Sequence, residues 1–488
     1  MYSPTAHLTD PLPPDLAPHG SPNLKRLVWV YFWLLIFEGA LRKWFVPGLS
    51  APLLVIRDPV VILIYVLAFR ENLIPQSSFL KALFGVGLAS AFLACIQFLT
   101  LGIPAHVLAY GWRADFLHFP LIFILPRIFA HEDIIKMGKA VLALSIPMAL
   151  LMAQQFRSDP SAWINRTVGA SEGPQLASAL GKIRPPGTFS FITGAVSFFT
   201  MVAAFTAHAI AERASYPRLL GLAAGVAIVL AMAVSGSRSA IISVALVFVF
   251  WAAGAMASRR LVATATRLAG FAIVATLLVT NLSFFRDEVT VMKQGAEVMS
   301  ERWNLASQSE SATGGLIGRF TDQLLNPLKL LFTIPFFGHG LGVGTNAGAY
   351  LISGKAQFLL SEGEWGRVLM EMGPLVGLMF IAFRIMLVLS LGRLSIQSAT
   401  KGHLLPILLF GAAALPALNG QIAQPTALGF ATLLSGLCLA SAEAKRGQLS
   451  SPSEAPKTMP LPKRMQGPRA LPPRRPYPNA GGKRPHRR

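Results

Sequence analysis

The sequence predicts an all-α polytopic membrane protein, and three observations carry that prediction. The chain of 488 residues is 53% hydrophobic and only 13% charged, against about 25% charged in an average soluble domain. Its mean hydropathy is +0.54. Apolar stretches of about 17–25 residues, enough for a helix to cross a bilayer, recur between residues 27 and 442. These runs are continuously apolar, whereas the strands of a membrane β-barrel alternate apolar and polar positions.

The elements follow in order. Residues 1–26 are Pro-rich and lack the charged-then-apolar pattern of a cleavable signal, so they read as an unstructured N-terminal segment ahead of the first anchor. About 12 transmembrane helices are expected, near 27–41, 51–69, 80–101, 114–130, 137–156, 188–210, 218–235, 237–257, 264–283, 367–391, 403–419 and 424–442. Together they make a transmembrane domain over 27–442. Between helices 7 and 8, Ser235-Gly236-Ser237-Arg238-Ser239 forms a tight hairpin. Between helices 9 and 10 lies a large loop, 283–366, in which 320–332 reads as an amphipathic helix on the membrane surface. Residues 443–488 form a basic, Pro-rich tail expected to be disordered.

Charge supplies the orientation. Cytoplasmic loops collect Lys and Arg. With the N-terminus inside, the inner segments carry Lys25-Arg26, Arg70, Lys81, Arg127, Lys136, Arg218, Arg259-Arg260, Arg393 and the tail. The large loop holds six Lys/Arg against eight Asp/Glu between 283 and 365. Both termini are then cytoplasmic, and the loops 157–187 and 283–366 face outward. The net charge of +21 is no sign of nucleic acid, because Lys445–Arg488 holds twelve Lys/Arg against one acid. Such a tail reads as a topological anchor beside anionic lipid. The two cysteines, Cys95 and Cys438, lie in apolar segments and read as small buried hydrophobes.

Polar residues concentrate at the outward face. Arg238 stands at a membrane rim between small residues, where it either anchors the interface or binds phosphate in a fork geometry. Arg319 opens the amphipathic stretch of the large loop and, taken alone, reads as a surface arginine. Gly338-His339-Gly340-Leu341-Gly342-Val343-Gly344 reads as a tight turn and not a nucleotide loop, having no Gly-Lys-Ser/Thr. His339 stands among these glycines as the one titratable side chain of the turn. Glu362 and Glu364 flank the start of helix 10, where each is either a general base or a salt-bridge partner of Arg367. Glu371 falls inside the apolar span and reads as a buried hydrogen-bonding group. Lys182 and Arg184 face outward against the bulk trend, which favours an anion at that face. Arg57-Asp58 lie in span 2, where charge is costly unless paired. No cluster of carboxylates or histidines suggests a metal site, and no cofactor is implied.

Taken in order, Ser237-Arg238-Ser239, Arg319, Pro335-Phe336-Phe337-Gly338-His339-Gly340-Leu341-Gly342 and Glu371-Met372-Gly373 resemble the O-antigen ligase and O-antigen polymerase superfamily of bacterial envelope enzymes. The resemblance is best over residues 185–390. It implies a GT-C-like membrane fold with a large periplasmic loop, in the inner (plasma) membrane. It implies transfer of a glycan from a polyprenyl-pyrophosphate carrier to an acceptor hydroxyl, with Arg238 and Arg319 binding the pyrophosphate. The family often has a histidine nine residues before the Glu of Glu-x-Gly, and here that position is Glu362.

The expectation is therefore an inverting, metal-independent glycosyltransferase that polymerises a cell-surface or exported polysaccharide. Glu362, Arg238 and Arg319 carry the catalysis, while Arg184, His339, Arg367 and Glu364 contact substrate. The partners are the lipid-linked glycan donor, a glycan or lipid-linked acceptor, membrane lipids and polysaccharide-assembly proteins, with no nucleic acid. The alternatives are ligation onto lipid A core and a flippase for a lipid-linked saccharide. A flippase fits less well, because internal repeats are not evident and the polar residues gather at one face.

Overall fold

The computed structural model describes residues 20–168, 177–212, 214–258, 263, 266–267, 270, 286–310, 315–355 and 357–450. Every regular element among them is helical. The helices are α1 (Pro22–Ala40), α2 (Ser50–Leu53), α3 (Arg57–Arg70), α4 (Ser78–Leu101), α5 (Ala105–Trp112), α6 (Leu121–Ile128), α7 (His131–Arg157) and α8 (Ile192–Ala211). There follow α9 (Arg218–Val234), α10 (Arg238–Ala257), α11 (Arg286–Glu310), α12 (Gly315–Lys329), α13 (Asn346–Ser353), α14 (Glu364–Thr400), α15 (Leu405–Asn419) and α16 (Pro425–Ser450).

Among the described residues, seven helical stretches are long and apolar enough to cross a membrane. They are Pro47–Arg70, Ser78–Leu101, His131–Arg157, Ile192–Ala211, Arg238–Ala257, Glu364–Thr400 and Pro425–Glu443; α9 and α15 are apolar but shorter. The expected span at 264–283 and both terminal segments, 1–19 and 451–488, lie outside the described residues.

Local sequence sets the helix ends. The Ser21 hydroxyl accepts the Leu24 N–H at 3.3 Å ahead of Pro22, and the Ser77 hydroxyl accepts the Leu80 N–H at 3.0 Å. Each satisfies one of the N–H groups that a helix start leaves orphaned.

Three expected spans are broken. Span 2 lies within the stretch Pro47–Arg70, but a turn at 54–56 separates α2 from α3 and leaves Arg57 as the first residue of α3. Span 4 is not one helix: α5 runs into a π-turn, Arg113–Leu117, and α6 restarts after Pro120. Arg113 and Asp115 of that turn point inward to Asp58 (2.6 Å) and Arg367 (2.7 Å), and these partners hold the wider turn in place. α14 breaks at Gly373. Cys95 is exposed on α4, which corrects its expected burial, while Cys438 is buried.

Arg57 and Asp58 do not pair with each other, and each finds another partner. Arg57 meets Glu38 at 3.1 Å, and Asp58 meets Arg113 and His118. Beyond α1, Lys43 Nζ donates to the Gly187 and Phe189 carbonyls, both at 2.7 Å. This fastens residues 187–190, the approach to α8, against the end of α1. α8 and α16 lie at the centre of the molecule, packed on α10, α15, α6 and each other.

Candidate functional site

The site grows from one helix break. Pro374 has no N–H, so the Met370 carbonyl four residues earlier loses its helical partner. Gly373 adopts φ 70° and ψ 175°, a conformation essentially confined to glycine. The freed carbonyls find partners elsewhere: Met370 O accepts the His339 N–H at 2.7 Å, and Glu371 O accepts the Gln97 amide at 2.8 Å. Gln97 also donates to Phe337 O (2.6 Å) and accepts the Leu341 N–H (2.9 Å). One α4 amide therefore clamps the glycine loop to the broken helix.

The loop fits because it lacks side chains where it is closest. Gly338, Gly340 and Gly342 all have positive φ. A Cβ on Gly338 would strike Glu371 O, and one on Gly342 would strike Val107 O of α5. The turn expected at 338–344 is thus a loop seated between α5 and α14.

Above the break lies a buried cluster of five charges. Arg367 meets Asp115 at 2.7 Å, Glu364 at 3.0 Å and Glu371 at 2.7 Å. Arg384 meets the same Glu364 oxygen at 2.8 Å and donates to the Ala417 and Gly420 carbonyls. Glu371 also accepts the Gly344 N–H at 2.8 Å, which ties the glycine loop to the cluster. Three carboxylates against two guanidiniums leave no positive charge to offer a phosphate.

This frame borders a cavity of about 350 Å³, lined by Glu362, Glu364, Arg367, Asn346, Tyr110, Gln421 and residues 423–426 among others. That volume suits a small-molecule site. Glu362 is exposed, no described residue forms an ion pair with it, and its backbone carbonyl accepts the Gln421 amide at 2.8 Å. Asn346 Oδ1 is buried with no hydrogen-bond partner.

The other expected residues lie apart from that cavity. Arg184 lines an adjoining cavity of about 360 Å³; its Nε donates to Ala177 O at 3.1 Å. A Cβ on Gly236 would come within 3.6 Å of the Arg184 stem, so the Ser235–Ser239 hairpin rests on this segment. Arg238 is half-buried with its guanidinium 5.6 Å from the Trp303 ring centre on α11. Arg319 belongs to α12, which starts earlier than expected, and its side chain lies outside the described residues. The His339 side chain is exposed.

Sequence reasoning passed over Gln97, Asp115, Arg384, Gln421 and Gln424. The available signal was the one used for Arg57: a polar side chain inside an apolar run must find a partner. No protein-family model matches the chain, and no curated protein matches it either.

Proposed function

We propose that the protein is a membrane glycosyltransferase of the O-antigen ligase and polymerase type. It moves a glycan from polyprenyl pyrophosphate to an acceptor hydroxyl at the outer face of the bacterial inner membrane, building a cell-surface or exported polysaccharide. One observation carries the reading. The glycine loop and the Glu-x-Gly break dock on each other and frame a cavity whose Glu362 carboxylate is exposed and outside any described ion pair.

In this scheme Glu362 takes the proton of the acceptor hydroxyl, whose oxygen attacks the anomeric carbon with inversion. The bond to pyrophosphate breaks, and its electron pair leaves with the polyprenyl pyrophosphate. Arg238 and Arg319 offset the charge that grows on the leaving group, which is electrostatic catalysis by fixed donors. Arg184 adds positive charge beside the hairpin. Arg367 and Glu364, committed to each other, shape the cavity and do not bind phosphate; this revises their expected role. His339 shapes the turn through its backbone. The scheme requires no metal.

The test uses cells lacking the gene, complemented with wild type or Glu362→Gln. The expected result is stable insertion, loss of surface polymer and accumulation of lipid-linked glycan on the outer face. Accumulation on the inner face would identify a flippase instead. Full activity of Glu362→Gln would remove it as the base.

A further inference from the structure

The cavity beside Glu362 shares three lining residues with the second chamber, Thr193, Gln421 and Gln424. They form a hydrogen-bonded row. Thr193 Oγ1 donates to Gln424 Oε1 at 3.3 Å, and Gln424 Nε2 donates to Gln421 Oε1 at 2.7 Å. Gln421 Nε2 then donates to the Glu362 carbonyl at 2.8 Å. The partition between the chambers is therefore neutral, and it ends on the backbone of the proposed base.

The second chamber lies between α8, α10 and α15, with Gln323 of α12 also in its lining. Thr193, Ser197 and Thr200 recur along α8 at helical spacing, and Ser239 and Ser243 do so along α10. Both helices are long and apolar enough to cross a membrane. From Thr193 to Thr200 the hydroxyls descend about 10 Å, at roughly 1.5 Å per residue. Lipid tails offer such groups no hydrogen bonds, so their convergence on one cavity points to a polar occupant. Ser197 and Thr200 donate to the Thr193 and Val196 carbonyls (3.0 and 2.7 Å), which leaves their oxygens able to accept. Asn419 Oδ1, in the same lining, is buried with no partner. Among the described lining residues Arg184 alone is charged.

These walls discriminate between the parts of a lipid-linked glycan. A pyrophosphate gains from clustered cations, and the described lining has only Arg184; a polyprenyl chain would meet Ile192, Val196, Leu415 and Pro416 but would leave the hydroxyls and amides between them without partners. Neutral hydroxyls and amides, each able to donate or accept, match the hydroxyls of sugars. We infer that the second chamber is a saccharide subsite, which holds uncharged sugar units next to the one that reacts while the polyprenyl chain stays outside. The inference rests on the glycosyltransferase reading.

The test is run in the same complemented cells, with polymer yield and the outer-face lipid-linked pool as readouts. Thr200→Val keeps the shape and removes the hydroxyl; Asn419→Leu replaces an amide with an apolar group. Each is expected to lower polymer yield about tenfold, the scale of one lost hydrogen bond to substrate. Lipid-linked units should accumulate at normal insertion. Thr200→Ser should restore the yield, which assigns the loss to the hydroxyl; normal insertion and an unchanged thermal midpoint of Thr200→Val separate lost sugar contact from lost support of the Val196 carbonyl. Should Asn419→Leu fail to insert, the Thr200 pair decides. Unchanged or raised yield in Thr200→Val would overturn the subsite, because a polyprenyl groove welcomes added apolar surface. A Glu362→Gln block with normal Thr200→Val activity sinks the subsite alone. If no variant, Glu362→Gln included, accumulates lipid-linked glycan, the transferase reading fails and the subsite falls with it.

Discussion

The Arg367 guanidinium spends its donors on Asp115, Glu364 and Glu371, and the last two are also held by Arg384 and the Gly344 N–H. Removing one member of such a buried set leaves the others uncompensated, at about 3–5 kcal/mol. Arg367→Gln should therefore destabilise the fold by that order, read as a lower thermal unfolding midpoint in detergent and a lower yield of inserted protein. Glu362 differs in kind: it is exposed and outside any described ion pair. Glu362→Gln should stay within about 0.5 kcal/mol of wild type, as surface changes do, while abolishing transfer. A Glu362→Gln protein as unstable as Arg367→Gln would show that Glu362 is structural. Sequence spacing placed Glu362, Glu364 and Arg367 in one neighbourhood. It did not separate the exposed carboxylate from the locked one, because Asp115 lies 252 residues from Arg367 in the chain.

At the scale of elements, legibility follows how local the cause is. Gly373-Pro374 and the glycines of 338–344 act on their own backbone, so their importance was readable, and the structure adds that they dock together. Gln97 stands out as a polar side chain in an apolar run but was not readable as the clamp, because its partner at Phe337 lies 240 residues away. Apolar runs located the helices well, as at α4, α7, α9 and α10, but not the breaks at 54–56 and 113–120, where inward ion pairs compensate for lost helix. The break at Gly373 yields a sharp comparison. A Cβ there would strike Phe336 O in a glycine-only conformation, whereas one on Gly354, φ 72°, meets nothing within 4 Å. Gly354→Ala should cost only the left-handed backbone penalty, about 1–2 kcal/mol, and retain activity. Gly373→Ala should displace the glycine loop and abolish activity. Limited proteolysis within 335–345 and transfer assays on both variants check this; equal behaviour of the two would refute the docking argument.

Over the whole molecule, burial sorts the helices by surroundings. The apolar windows of α8 and α16 are 83% and 89% buried, against 33% for α4. On α4, Phe84, Leu88, Phe92 and Leu99 form an exposed stripe at helical spacing, as expected of a face turned to lipid. α14 is long enough to span a bilayer even with its break at Gly373. Past that break, residues 374–400 run about 40 Å at roughly 1.5 Å per residue, more than the roughly 30 Å hydrocarbon core. The acidic loop precedes its first residue, and Arg393 and Lys401 stand at its other end; by the charge rule the proposed reaction then has the Glu362 cavity outside, which labelling can test. Lys355 and Lys401 are both exposed and outside the proposed machinery. In a background with Cys95 and Cys438 replaced by Ser, a membrane-impermeant maleimide on spheroplasts should label Lys355→Cys and spare Lys401→Cys until the membrane is opened. The reverse pattern would put the cavity on the cytoplasmic side, where a donor already carried to the outer leaflet cannot reach it, and the proposed reaction would fail for reasons of topology alone. Labelling of both sites in closed spheroplasts would mean that α14 does not cross the membrane.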